Sequence, residues 1–198
     1  MNVQKPPAGI ERQRYPRELA MSVAVEIEAL LKDATERTEI VGSLRRGKKD
    51  VGDVEILFIP RMMSGVADDM FSKPKLVDQA EICIADLEKR GVIGRRLAVT
   101  GRQAGWGPLN KLAVHVRTGI PVDLFSTTAA RWHMSLVIRT GPKEFNLALI
   151  KGALDRGLNL HAYGVYTYNS TGEEVPCNSE QEVLQLAGIP WIEPKDRR

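Results

Sequence analysis

Apolar residues recur at helical spacing from Leu19 through Val23, Ile27, Leu30 and Leu31, and Pro16 stands where such a helix opens. Before it, residues 1–15 carry Pro6, Pro7 and several charges and read as a flexible arm. Near Thr38 the period changes: Glu39-Ile-Val-Gly-Ser reads as a short strand ending in a turn, and Val54 to Pro60 as a longer strand. Pro74 to Arg90 returns to helical spacing, with Leu76, Ala80, Ile84 and Leu87 on one stripe and Gly91 as its C-cap. Leu97–Gly101, Leu112–Val116 and Ile120–Phe125 alternate as three strands, the last two joined by a hairpin across Arg117-Thr-Gly. A helix is expected over Thr128–Ile138 and another from Pro142 to about Arg156, ended by Gly157. The tail offers a strand at Tyr163–Tyr168 and a helix from Ser179 to Leu186, where Ser179 and Glu182 have capping-box spacing. The punctuation at Thr140-Gly141-Pro142 separates a sheet-rich body, residues 16–138, from a smaller module, residues 139–198.

At 198 residues and 43% hydrophobic, the chain can bury a real core, as one domain or two small ones. Its net charge of +3 is small, but basic residues gather at Arg45, Arg46, Lys48 and Lys49, at Arg90, Arg95, Arg96 and Arg102, and at Lys195, Arg197 and Arg198. Such clusters either follow a phosphate backbone or form a solvated surface. Cys83 and Cys177 lack disulfide-framework or metal-ligand spacing. The N-terminus has no signal-peptide pattern, and Glu26 and Glu28 interrupt the longest apolar region. An intracellular soluble protein away from membranes is expected, as a monomer.

The chemistry concentrates in residues 42–55, Gly-Ser-Leu-Arg-Arg-Gly-Lys-Lys-Asp-Val-Gly-Asp-Val-Glu. Asp53 and Glu55 point to the same side of a strand, with Val54 and Ile56 turned to the core. Neighbouring carboxylates repel and resist desolvation unless a cation neutralises them. Asp123, alone in the apolar strand Pro-Val-Asp-Leu-Phe, is placed to be a third acid. Oxygen ligands beside a phosphate favour Mg²⁺. The bland alternative is that Arg45 and Arg46 form salt bridges with these acids. Gly42 lets the backbone approach an anion, Ser43 adds a hydroxyl donor, and Arg46 can grip a phosphate with two hydrogen bonds. His115 reads as structural. Trp106, between two glycines, serves equally as a loop anchor or a base-stacking platform.

Gly-Ser-Leu-Arg-Arg-Gly…Gly-Asp-Val-Glu, Pro-Val-Asp-Leu-Phe, Arg-Thr-Gly-Pro…Phe-Asn and the final Ile-Glu-Pro-Lys-Asp-Arg together resemble DNA polymerase family X, within the nucleotidyltransferase superfamily. The resemblance runs from about residue 20 to the end and is nearest to the minimal viral members, which keep only palm and thumb. It implies an α+β fold: a nucleotidyltransferase palm with a mixed β-sheet and flanking helices, then a small helical/β thumb. It further implies that Asp53, Glu55 and Asp123 hold two Mg²⁺ ions, for which Mn²⁺ can substitute. Gly42, Ser43, Arg46 and Gly52 would hold the triphosphate. Thr140 and Gly141 would form the palm–thumb hinge, a junction that often carries a cis peptide in the family. Asn146 would face the incoming base, and Lys111, Arg45 and Lys48 would meet DNA.

The implied activity is DNA-directed DNA synthesis on a gapped or primer–template duplex from deoxynucleoside triphosphates, in short-gap repair. The alternative is a template-independent nucleotidyltransferase acting on a nucleic-acid end or small acceptor. Three departures bear on this choice. Glu55 stands where the family has Asp, Ile138 and Arg139 replace an aromatic pair that excludes ribonucleotides, and Ile150 replaces an arginine that checks the template base.

Overall fold

A computed structural model describes residues 13–65, 75–97, 101, 103–161 and 164–198. It opens on a two-residue strand, β1 (Tyr15–Pro16), which leads directly into helix α1 (Arg17–Leu31). α1 buries Ala20, Val23, Ala24, Ile27 and Leu31. Leu19, expected on that stripe, is instead 42% exposed, while Ala20 and Ala24 are fully buried.

Strand β2 (Thr35–Ile40) begins earlier than its apolar residues suggest. Gly42-Ser43 is not a plain turn but the start of a single helical turn, α2 (Gly42–Arg45). β3 (Asp50–Val51) pairs with β1, and β4 (Val54–Pro60) has the bounds read from the sequence. β5 (Met62–Ser64) pairs with β6 (Leu76–Asp78). Helix α3 (Gln79–Lys89) therefore starts later than expected, capped by Asp78, whose side chain accepts the Glu81 amide at 3.0 Å. Pro74, the expected start, lies outside the described residues. Gly91 closes α3 at φ +70°, with its amide donating to Glu88.

The edge strand β7 is Ile93–Arg95; of the strand expected over Leu97–Gly101, Leu97 forms an isolated bridge to Gln103, and Ala98–Thr100 lie outside the described residues. β8 (Asn110–His115) and β9 (Pro121–Ser126) form the expected hairpin, with Gly119 at φ +72° in its turn.

These strands make a five-stranded sheet in the order β2-β4-β9-β8-β7. β4 and β9 run parallel and the other pairs antiparallel, so the sheet is mixed. Alternation gives each central strand two faces. Val54, Ile56, Phe58, Val122 and Leu124 pack with residues of α1 and α3 in the main core. On the other face Leu57 and Phe125 join Val41, Trp132 and Leu136 in a smaller cluster.

Trp132 and Leu136 belong to α4 (Trp132–Thr140), which a short 3-10 turn precedes. Met134 and Val137 of the same helix join a third cluster with Phe145, Leu149, Ala153, Tyr166, Val183 and Leu184. That cluster is built by α5 (Lys143–Leu154), the small sheet β10 (Leu158–His161), β11 (Val165–Tyr168) and β12 (Glu174–Val175), and α6 (Glu180–Leu186). Tyr163, read as the start of a strand, lies outside the described residues. Ser179 caps α6 by accepting the Glu182 amide at 3.1 Å, while the Glu182 carboxylate accepts the Asn178 amide at 2.7 Å. The Gly141-Pro142 bond between α4 and α5 is cis.

Candidate active site

The pleat that sends Val54 and Ile56 into the core turns Glu55 the other way, and the parallel pairing sets Glu55 directly beside Asp123 on β9. Asp53 lies just before β4, at the mouth of the same cavity, a cleft of about 790 Å³. Ser43, Arg46, Gly52 and all three acids line it, so six of the thirteen residues expected from sequence meet here. The acids occupy the sheet face that α4 covers further along, just past the edge of the Leu57–Phe125 cluster.

Crowding like charges has the expected electrostatic result. Burial, followed by the nearby Asp53 and Asp123, pushes the Glu55 carboxyl up to about 8. Burial raises Asp123 to about 6, against the pull of Arg96, whose Nη2 lies 3.0 Å from Asp123 Oδ1. That contact is an ion pair without hydrogen-bond alignment, and Oδ1 has no aligned donor. Two further polar atoms of cavity-lining residues, Ser43 Oγ and Arg46 Nε, are buried with no hydrogen-bond partner among the described residues. Arg46 is anchored by a hydrogen bond from Nη1 to the Thr140 carbonyl, and its burial lowers the guanidinium pKa.

The donor set fits a hard divalent cation: carboxylate oxygens that resist ionisation together, beside donors suited to phosphate. Among the described residues, no three His, Cys, Asp or Glu side chains are gathered closely enough to form a finished cage. An ion here would share its coordination with water and substrate oxygens, as Mg²⁺ ordinarily does.

Other expected residues fall elsewhere. Arg45 is engaged within the protein: Nη1 and Nη2 bond Glu180 at 2.9 and 2.6 Å, and Nη1 also bonds Thr140 Oγ1 at 2.8 Å. Lys111 is 5% exposed, with its amine on Glu81 and on the Gly107 carbonyl. Lys48 is exposed. Thr140 is fully buried behind Arg45 and Arg46. Gly141 sits against Arg46, where a Cβ would lie 3.5 Å from Nη1. Asn146 donates to the Ile138 carbonyl at 2.8 Å and lines a separate cavity of about 400 Å³ with Ile138, Arg139 and Ile150. His115 is buried on Thr118, and Trp106 packs on the main core under Arg95, as a loop anchor would.

Among the other residues lining the cavity, Arg14 and Tyr15 escaped the sequence reading, and Arg96 figured there only as part of a basic cluster. Arg14 and Tyr15 reach the wall because β1 pairs with β3, which carries the chain toward Gly52 and Asp53. Arg14 bonds the Asp50 carbonyl, and the Tyr15 hydroxyl bonds that of Gly119 at 3.2 Å. Arg96 arrives from the far edge of the sheet. Each depends on a pairing between distant segments, which no local spacing reveals.

A mixed sheet bearing paired carboxylates beside a Gly-Ser turn and a buried arginine defines a nucleotidyltransferase palm. Residues 14–124 match the family model described as DNA polymerase beta palm, and residues 135–198 the one described as DNA polymerase beta thumb. The chain belongs to DNA polymerase family X. It is 28% identical over 192 residues to the DNA polymerase/3'-5' exonuclease PolX of Bacillus subtilis, covering 96% of this chain and 30% of that protein. It is 27% identical over 206 residues to DNA polymerase lambda of Rattus norvegicus, covering 93% of this chain and 33% of that protein. The chain thus spans about a third of each relative. Among the described residues, no helix is long and apolar enough to cross a membrane.

Proposed function

We infer that this chain is a DNA-directed DNA polymerase that extends a primer 3′-hydroxyl by phosphoryl transfer, acting on short gaps during repair. One observation carries the reading: the three carboxylates share a cavity with Ser43 and Arg46, whose Oγ and Nε are buried with no hydrogen-bond partner among the described residues. The names of the relatives support it. In this reading residues 16–138 form the palm and 139–198 the thumb, hinged at Thr140-Gly141.

Asp53, Glu55 and Asp123 would hold two Mg²⁺ ions, which when bound ease deprotonation of the 3′-hydroxyl and offset charge on the triphosphate. Ser43 and Arg46 donate to phosphate oxygens, and the Thr140 carbonyl anchors the Arg46 guanidinium through Nη1. Arg14 adds positive charge on the same wall. Glu55, with its longer side chain, meets Asp123 across the parallel pair, so the site retains two adjacent carboxylates despite the replacement.

The second reading is template-independent addition. It draws on the separate cavity of Ile138, Arg139, Asn146 and Ile150, whose aliphatic residues at positions 138 and 150 offer no hydrogen bonds to a sugar or a template base. Primer extension on a gapped duplex, with each deoxy- and ribonucleotide singly and with Mg²⁺ or Mn²⁺, tests both. Template-matched incorporation that disappears in Asp123→Asn is the expected result. Indiscriminate tailing would favour the second reading, and no incorporation under any condition would overturn both.

A further inference from the structure

Asp123 already has a cation beside it, and the sheet determines which one. Arg95 pairs with Ala113 on β8, so Arg96 continues past β7 beside Leu112, whose register partner on β9 is Asp123. Asp123 in turn is opposite Glu55 on β4. Arg96, Leu112, Asp123 and Glu55 thus form one row across four adjacent stretches of backbone. Arg96 is tied down on both sides: its amide donates to the Leu112 carbonyl at 3.1 Å, and its carbonyl accepts the Ala104 amide at 2.8 Å. From that fixed point the guanidinium reaches over β8 to place Nη2 3.0 Å from Asp123 Oδ1, with the two side chains 27% and 13% exposed. Arg96 and Leu112 both line the cavity that holds the three acids.

The geometry points to Arg96 as a positioning residue that acts as the resident counter-ion of Asp123 and competes with divalent cations for that carboxylate. This deepens the metal-assisted reading above and rests on it. The guanidinium offsets charge in the acid cluster before an ion arrives and keeps Asp123 turned into the cavity. An entering ion must share or displace it, because the same oxygen cannot give its full field to both. Metal affinity is therefore set partly by Arg96, from outside the acidic set. The excess of carboxylate repulsion over counter-charge also means that removing Arg96 harms the metal-free protein more than the metal-bound one.

The test is direct Mn²⁺ binding to the full chain without nucleotide, by calorimetry or by the paramagnetic signal of free ion, alongside thermal unfolding with and without Mn²⁺. Arg96→Gln is expected to tighten Mn²⁺ about fivefold and to enlarge the Mn²⁺-dependent rise in Tm, with Arg96→Lys near wild type. Unchanged or weaker Mn²⁺ binding in Arg96→Gln overturns the assignment. A role confined to framework packing would lower Tm equally with and without the ion, which also overturns it. Wild-type protein gives a second readout should Arg96→Gln not fold. The Arg96 Nε–H resonance is expected to move along the Mg²⁺ titration, and a stationary resonance counts against the proposal. Asp123→Asn separates the two levels of inference. If it leaves Mn²⁺ binding intact, the metal-site reading itself fails. If it abolishes binding while Arg96→Gln changes nothing, only the counter-ion role fails.

Discussion

Gly42 and Glu55 occupy adjoining space: a Cβ on Gly42 would lie 1.7 Å from Glu55 Oε2, and Gly42 holds φ at +63°. The glycine that opens α2 is therefore also the floor on which the Glu55 carboxylate rests. Gly42→Ala is expected to destabilise the fold by about 1–3 kcal/mol and to force Glu55 off its position. Urea unfolding gives the first quantity. A variant with wild-type stability and wild-type extension rate would refute the shared role.

The raised carboxyl groups predict how stability depends on pH. Glu55 ordinarily titrates at 4.5 and here near 8; Asp123 moves from 3.8 to about 6. Both bind protons more tightly when folded, so their contribution is full at low pH and is lost as pH rises through the folded values. Metal-free protein should lose thermal stability between about pH 5 and 8, and Glu55→Gln should flatten that decline. Saturating Mn²⁺ should flatten it too, by compensating the ionised forms. A Tm that rises over this interval without metal would contradict the charge arrangement.

In the proposed site Ser43 and Arg46 serve the nucleotide while the acids serve the metal. Losing one hydrogen bond to a charged phosphate costs about 1.5–3 kcal/mol, roughly a ten- to hundredfold loss of affinity. Ser43→Ala and Arg46→Gln should therefore weaken nucleotide binding on that scale while Mn²⁺ binding without nucleotide stays near wild type. Steady-state KM together with metal titration distinguishes this from general damage to the site.

Glu180 joins the two halves of the molecule. Its carboxylate bonds Arg45 from α2 and Arg197, which is 1% exposed, at 2.9 Å or less in every contact. Burial pushes Glu180 up, but the two guanidiniums outweigh it and hold its pKa below the ordinary value. Glu180→Gln would leave two largely enclosed cations short of countercharge, for a cost of about 3–5 kcal/mol in equilibrium unfolding. A change below about 1 kcal/mol would show that water replaces the carboxylate freely.

The sequence exposed this site where chemistry and local geometry coincide. Asp53 and Glu55 stand out because acids in an apolar strand have few other uses, and β4 has the bounds its alternation predicts. Elements whose limits depend on distant partners were harder to read. Leu97-Ala-Val-Thr is more strand-like in composition than Ile93-Gly-Arg, yet β7 forms at 93–95, where β8 supplies the register. Leu76 sits at helical spacing from Ala80, but pairing with Met62–Ser64 draws it into β6. The sequence did not show that Arg45 and Lys111 pair with carboxylates 135 and 30 residues away. Nor did it place Arg14 or Arg96 in the cavity of the acids, to which only folding brings them.

Helix α4 turns Trp132 and Leu136 to the large sheet and Met134 and Val137 to the C-terminal cluster. One element thus serves as the party wall of two rooms. A fragment cut at residue 138 would keep Trp132 and Leu136 over its own sheet but carry off Met134 and Val137, so the downstream piece would lack part of its interior. Swapping C-terminal halves between related polymerases would need the join placed upstream of Trp132, with the helix travelling as cargo.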